Sequence, residues 1–119
     1  MGDLTKNFSK SEFAAEDGRC WINTDFVSRL QTARDIADVP FNITSGCRTE
    51  EQNRRVGGTP NSAHLRGLAA DIAIYNTSDR YAILRSLFDV GFTRVGISSS
   101  FIHVDDDLTL PTRRAWVYS

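Results

Sequence analysis

Long apolar runs are missing from this chain of 119 residues. No stretch approaches the roughly 20 consecutive apolar residues that a membrane-spanning helix needs. The first ten residues, MGDLTKNFSK, also lack the apolar segment of a cleavable signal peptide. We therefore expect a protein that is synthesised in the cytoplasm, carries no signal peptide and does not associate with a membrane.

An excess of either charge is absent too, since 14 basic and 15 acidic residues leave a net charge of -1. Proteins that bind nucleic acid usually present a basic surface, so we expect no nucleic-acid partner. The one acidic run includes Asp106 and Asp107, which we expect in a solvated turn. The length suits a single domain over residues 1–119, and we expect a monomer.

Cysteine is scarce, because Cys20 and Cys47 are the only two in the chain. Their spacing matches no metal-binding motif such as C-x-x-C. One interpretation is a disulfide that closes a long loop. The other is a pair of reduced thiols, which a cytoplasmic protein favours.

The order of the predicted elements favours an α+β fold. A capping box at Ser9 and amphipathic spacing from Thr24 predict two helices in the first third of the chain. Thr49 is predicted to cap a third helix, and Ser78 a fourth that Gly91 ends. Five apolar segments predict strands: FNIT, LAADIAIY, FTRVGI, FIHVD and AWVYS. Because short connections join the late strands, we expect a small, mainly antiparallel sheet.

One carboxylate stands inside an apolar segment. The run LAADIAI, residues 68–74, holds six apolar residues and Asp71. Burying an ionised carboxylate is costly unless it is paired, hydrogen-bonded or bound to a metal. Asp71 could cap a turn or pair with Arg66 or Arg94. A metal ion is the other possible partner.

The only two histidines of the chain could complete a metal site with Asp71. His64 precedes Asp71 by seven residues, and strand alternation in FIHVD places Phe101, His103 and Asp105 on one face. Two histidines and one carboxylate leave a fourth tetrahedral position for water, as in catalytic zinc sites. The spacing alone is a weak signal, because a histidine on a strand often has only a structural role.

Three segments together resemble the zinc D-alanyl-D-alanine carboxypeptidase family. They are ITSGCRTEEQN, GGTPNSAHLRGLAADIAI, and GFTRVGI followed by FIHVD. The resemblance covers nearly the whole chain and implies the hedgehog/DD-peptidase fold, with helices packed on one side of the sheet. It implies Zn²⁺ on His64, Asp71 and His103. It also implies a substrate drawn from the stem peptides of bacterial peptidoglycan.

The resemblance also assigns a residue to the substrate. Arg48, in SGCRT, stands where the family has an arginine that holds the substrate. Its guanidinium could grip a terminal carboxylate or polarise the scissile carbonyl. Asn61 and Ser62 are small polar residues just before His64, and they could orient that ligand or bind substrate amides.

The general base departs from the family pattern. Several relatives have Glu or Asp three residues before the last histidine ligand, and others have a histidine two or five residues before it. Those positions here are Ser100, Phe101 and Ser98. Asp105 shares a strand face with His103, so we predict that it is either the base or the group that orients this ligand.

These features predict a zinc metallopeptidase that hydrolyses D-amino-acid-containing bonds of peptidoglycan stem peptides, of the D-Ala-D-Ala carboxypeptidase type. One alternative is a phage-type endolysin that cuts L-Ala-D-Glu or cross-bridge bonds. A second is a zinc-containing module that binds the cell wall without catalysis. The small size is similar to that of phage-encoded members, which implies release to the wall by a holin or carriage in a virion. An intracellular role in recycling wall fragments fits the residues equally well.

Overall fold

The helices and strands follow the predicted α+β order. The structure is a computed structural model and describes residues 2–118. No helix in this range is long and apolar enough to cross a membrane. The helices are Lys10–Phe13 (α1), Thr24–Ala37 (α2), Glu50–Arg55 (α3) and Thr77–Asp89 (α4), with a short 3₁₀ helix at Ala63–Arg66. The strands are Ile43–Ser45 (β1), Ala69–Ala73 (β2), Arg94–Ile97 (β3), Phe101–Asp105 (β4) and Arg114–Val117 (β5).

The five strands form one sheet in the order β1-β2-β4-β3-β5. Three of the four neighbouring pairs are antiparallel, which confirms the mainly antiparallel prediction. The exception is β5, which runs parallel to β3 at the edge of the sheet. This arrangement places the last strand next to β3, which in turn pairs with the central strand β4.

Apolar side chains cover one face of the sheet and pack against the two long helices. On the central strands, Ile72, Ile102 and Val104 are fully buried in the core. Burying a side chain of this size stabilises the fold by about 1.5–3 kcal/mol. The α2 and α4 residues in the same core are Phe26, Val27, Leu30, Ala33, Ile83 and Leu87. The opposite face of β2 and β4 is therefore left for the polar residues of these strands.

Side chains cap the two later helices, one as predicted and one not. Thr49 Oγ1 accepts a hydrogen bond from the Gln52 N–H at 3.0 Å, as predicted. The prediction of Ser78 as the cap of α4 is wrong, because Asn76 Oδ1 accepts from the Asp79 N–H at 2.8 Å. The helix begins two residues earlier than the sequence indicated, so Ser78 lies inside its first turn.

One of the two acidic residues in the turn after β4 is buried. Asp107 is only 1% exposed, so the prediction of a solvated turn is wrong for this residue. Arg66 Nε donates to its carboxylate at 2.5 Å, and the Thr109 N–H donates at 3.0 Å. Asp106 is partly buried and pairs with Arg29. An arginine from the 3₁₀ helix thus compensates a charge that the sequence alone placed in water.

Candidate metal centre

The pairing of the two central strands brings Asp71 and His103 together. The two residues are direct partners across the β2–β4 pair. His103 Nδ1 lies 3.0 Å from Asp71 Oδ1. Both side chains point away from the apolar core, because Ile72 and Val104 occupy the alternate positions that face it.

The 3₁₀ helix before β2 holds His64 next to this pair. Ser62 caps the helix, and its Oγ accepts a hydrogen bond from the His64 N–H at 3.3 Å. Gly67 ends it with a φ of 68°, a left-handed conformation that favours glycine. A Cβ at Gly67 would lie 2.2 Å from the Trp21 carbonyl oxygen. The tight turn therefore needs glycine on two counts.

The hydrogen bonding of His64 indicates that a cation belongs here. Its Nδ1 lies 2.7 Å from the Gly46 carbonyl oxygen, which can only accept, so the ring proton is on Nδ1. In the neutral ring, the lone pair is then on Nε2. This atom is buried without a hydrogen-bond partner, 3.2 Å from Asp71 Oδ1. Two electron-rich atoms facing each other in a buried site are unfavourable unless a positive charge lies between them.

The three candidate ligands suit such a cation. One ligand atom from each of His64, Asp71 and His103 lies within 4.8 Å of the other two. Two imidazole nitrogens and one carboxylate oxygen match the donor set of three-ligand zinc sites. The residues present therefore fit the metal that the sequence predicts.

Asp105 lies against the far side of His103. Its Oδ2 is 2.7 Å from His103 Nε2, so the imidazole stands between two carboxylates. Burial lowers the pKa of His103, but its hydrogen bonds to Asp105 and Asp71 outweigh this and raise that pKa above the ordinary value. Burial raises the pKa of Asp71, but the contacts of its carboxylate with His103 and His64 outweigh this and hold that pKa well below its usual range. An ionised carboxylate that accepts from the ring is the usual outer partner of a metal-binding histidine.

Comparison with known families agrees with this geometry. The family model of peptidase M15 matches residues 4–105. The chain belongs to the peptidase M15 family. This confirms the resemblance found in the sequence, and the match includes all three candidate ligands. No curated protein sequence matches the chain.

Arg48 of this M15 peptidase is the arginine that pairs with Asp71. Its Nη2 donates to Asp71 Oδ2 at 3.2 Å. Its Nε donates to Ser45 Oγ at 3.1 Å, and its Nη1 donates to Asn53 Oδ1 at 3.2 Å. The guanidinium is thus fixed beside one metal-ligand candidate. Two of its five N–H groups are left for another acceptor.

The other two arginines considered as partners of Asp71 pair with different carboxylates. Arg66 pairs with Asp107, and Arg94 pairs with Asp105. Neither therefore neutralises Asp71, and both interpretations are wrong.

The three candidate ligands open into a cleft of about 430 Å³. Arg48 and Ser62 line it, as predicted substrate-contacting residues would. Asn61 is exposed and is not among the lining residues; its carbonyl accepts from Arg66 at 2.7 Å. The remaining walls come from the loop after α3 and from the end of the chain, and include Val56, Gly57, Gly58, Thr59, Leu110, Trp116 and Tyr118.

A small residue that the sequence analysis did not single out shapes one wall. Gly96 of β3 is the neighbour of both His103 and Trp116 in the sheet. A Cβ there would lie 2.5 Å from Trp116 Nε1 and 2.7 Å from Tyr118 Cε2. The absence of a side chain lets both aromatic rings lie on β3 beside the metal-ligand candidates. Only the parallel pairing of β5 reveals this contact.

Proposed function

We propose that this peptidase is zinc-dependent and hydrolyses D-amino-acid-containing bonds in peptidoglycan stem peptides. The proposed activity is of the D-Ala-D-Ala carboxypeptidase type. The observation that carries the proposal is the unpartnered, buried Nε2 of His64, aimed at Asp71 in the cleft of an M15 domain. When bound to such ligands, zinc lowers the pKa of a bound water to about 7 and polarises a carbonyl.

The residues around the ligands have separate roles. Arg48 has N–H groups left to stabilise the negative charge that develops on a carbonyl oxygen. Asp105 is only 1% exposed and is already engaged by His103, Arg94 and the Asp107 N–H. We therefore assign Asp105 to orienting His103 rather than to taking a proton from water.

One feature of the cleft favours the alternative, in which the enzyme cuts an internal bond of the peptide. A carboxypeptidase must recognise a free terminal carboxylate. Among the cleft residues that the structure describes, the arginines are Arg48 and Arg94, and both pair with carboxylates. An endopeptidase that cuts L-Ala-D-Glu or cross-bridge bonds needs no such cation. Mass spectrometry of the fragments released from purified peptidoglycan distinguishes the two bonds.

Metal analysis and hydrolysis test the proposal together. We expect one zinc per chain and release of stem-peptide products by the native protein, and neither by His64→Ala or His103→Ala. An exposed arginine outside the cleft, Arg54, provides the control variant Arg54→Ala, which should keep both. Hydrolysis by a metal-free His103→Ala protein would rule the mechanism out. A zinc-loaded native protein that binds cell wall but releases nothing across a wide pH range would identify a binding module instead.

A further inference from the structure

We propose that Arg94 is a positioning residue of the metal site, which acts on His103 through Asp105 and ties the C-terminal wall of the cleft to this ligand. The inference rests on the proposed zinc site. It concerns a residue outside the set of ligands, and its test does not depend on which bond is cut.

The register of the sheet places Arg94 next to Asp105. The two residues are direct partners in the β3–β4 pair. Arg94 Nε donates to Asp105 Oδ1 at 2.8 Å, while Asp105 Oδ2 contacts His103 Nε2 at 2.7 Å. The Arg94 and Asp105 side chains are 13% and 1% exposed, so water contributes little to this ion pair.

Through Asp105, Arg94 determines which ring nitrogen of His103 carries the proton. An imidazole that binds a metal is neutral and can donate from only one nitrogen. The Asp105 carboxylate, with its charge offset by Arg94, is a fixed acceptor for the Nε2 proton. The lone pair is then on Nδ1, which faces Asp71 and the metal position. Without Arg94, Asp105 Oδ1 would lose the donor that fixes the orientation of this buried carboxylate, and Oδ2 would no longer be held in place against the ring.

The same guanidinium also contacts the last segment of the chain. Another of its nitrogens donates to the Pro111 carbonyl at 2.6 Å, and its carbon lies 4.9 Å from the centre of the Trp116 ring. That ring lies 5.5 Å from the His103 ring. One side chain therefore fixes both the orientation of a metal ligand and the wall beside it. This wall lies outside the matched residues 4–105.

Zinc affinity of four variants tests the proposal. The variants are Arg94→Met, which keeps much of the stem but loses the donors, Arg94→Lys, Asp105→Asn, and the double variant Arg94→Met/Asp105→Asn. Arg66→Met is the matched control, because Arg66 also pairs with a buried aspartate but contacts no ligand. The zinc dissociation constant is measured by competition with a chromophoric chelator. Nitrogen-15 NMR reports which ring nitrogen of His103 carries the proton.

We expect Arg94→Met to weaken zinc binding by about tenfold or more, as loss of outer-shell partners does in other metal sites. In the Asp105→Asn background the same substitution should have little further effect, because both act on one ring. Arg94→Lys should restore most of the affinity through the ion pair but still raise KM, since a lysine cannot also hold Pro111 and Trp116. Arg66→Met should lower the Tm without changing zinc affinity.

Two results would overturn the inference. One is that Arg94→Met binds zinc as tightly as the native protein does and that its His103 carries the proton on the same ring nitrogen. The other is full additivity of the Arg94 and Asp105 substitutions. If Arg94→Met does not fold, Arg94→Lys and the single Asp105→Asn variant carry the comparison. A native protein that binds zinc but cleaves no peptidoglycan contradicts the proposed function, and the zinc measurements still decide the role of Arg94.

Discussion

Asp71 and His103 face each other across the β2–β4 pair, with Oδ1 and Nδ1 3.0 Å apart. This pair exists only in one register. Because side chains alternate along a strand, a slip of one residue would turn His103 into the core and bring Val104 to the cleft. The apolar face formed by Ile72, Ile102 and Val104 opposes such a slip. Packing of the core thus fixes the geometry of the candidate metal centre on the other side of the sheet.

Replacing Arg48 should separate metal binding from catalysis. We expect Arg48→Ala to keep one zinc per chain, since the ligand candidates lie on other residues, and to lose activity by about 10²–10³-fold. Arg48→Lys should not rescue it, because Ser45, Asn53 and Asp71 are bonded by three different nitrogens of a planar group. Zinc analysis and peptidoglycan hydrolysis check this, with Arg54→Ala as the control. Loss of zinc in Arg48→Ala would show that Arg48 acts on the ligand Asp71 instead.

Adding a methyl group at Gly96 should disturb the aromatic wall but not the metal. In Gly96→Ala, the new Cβ would approach Trp116 Nε1 to 2.5 Å, so the ring must move. Overpacking of this kind costs about 1–3 kcal/mol of stability. We expect a higher KM with unchanged zinc content, measured beside Val117→Ala, which alters an exposed residue on β5, the strand of Trp116. An unchanged KM would mean that the wall does not contact substrate.

The Cys47 thiol should be inert in the native protein. Both cysteines are free thiols, so the structure has no disulfide between them. Burial raises the pKa of Cys47 to about 11, and the neighbouring Cys20 thiol contributes to the increase. Only the thiolate reacts with iodoacetamide. We expect alkylation at pH 8 to leave Cys47 unmodified until the protein is denatured, as read by mass spectrometry of the tryptic peptides.

The raised pKa of Cys47 also makes the free energy of unfolding depend on pH in the alkaline range. The folded protein holds the Cys47 proton more tightly than the unfolded chain does. Its contribution is therefore complete below the ordinary thiol pKa of about 8.5 and is lost as the pH rises towards 11. The free energy of unfolding should fall between pH 8 and pH 10.5 more in the native protein than in Cys47→Ala. Equal slopes for the two proteins would contradict the assignment.

Asp107 should stabilise the turn after β4, and acid should remove this contribution. Burial raises the pKa of Asp107, but hydrogen bonds from Thr109 and Arg66 outweigh it and lower the pKa below the ordinary value. We expect Asp107→Asn to reduce the free energy of unfolding by about 1–3 kcal/mol at pH 7. The difference from the native protein should narrow as the pH falls below about 4, where the unfolded chain takes up the proton.

Urea denaturation at pH 7 and pH 3.5 measures this difference. Asp106→Asn is the control, because the Asp106 side chain is more exposed to water than that of Asp107, while their arginine partners are equally exposed, and it should therefore contribute less. A gap between Asp107→Asn and the native protein that is the same at both pH values would mean that the carboxylate charge is not involved.

The sequence by itself determined the local features of this protein. An aspartate among six apolar residues marked the site, because a buried charge needs a partner. Strand alternation placed His103 and Asp105 on one face, and Thr49 was predicted to cap its helix from the side-chain preferences of helix starts. Each of these depends on neighbours within a few residues, so chain order alone is enough to predict it.

Only the tertiary structure decided which distant groups meet. Three arginines and three aspartates could have paired in several ways. The sheet register and the 3₁₀ helix assign Arg48 to Asp71, Arg94 to Asp105 and Arg66 to Asp107. The parallel pairing of β5 with β3, which brings Trp116 and Tyr118 over Gly96, could not be predicted from the sequence either. Such contacts depend on how separate segments pack, and side-chain chemistry does not distinguish one arginine from another.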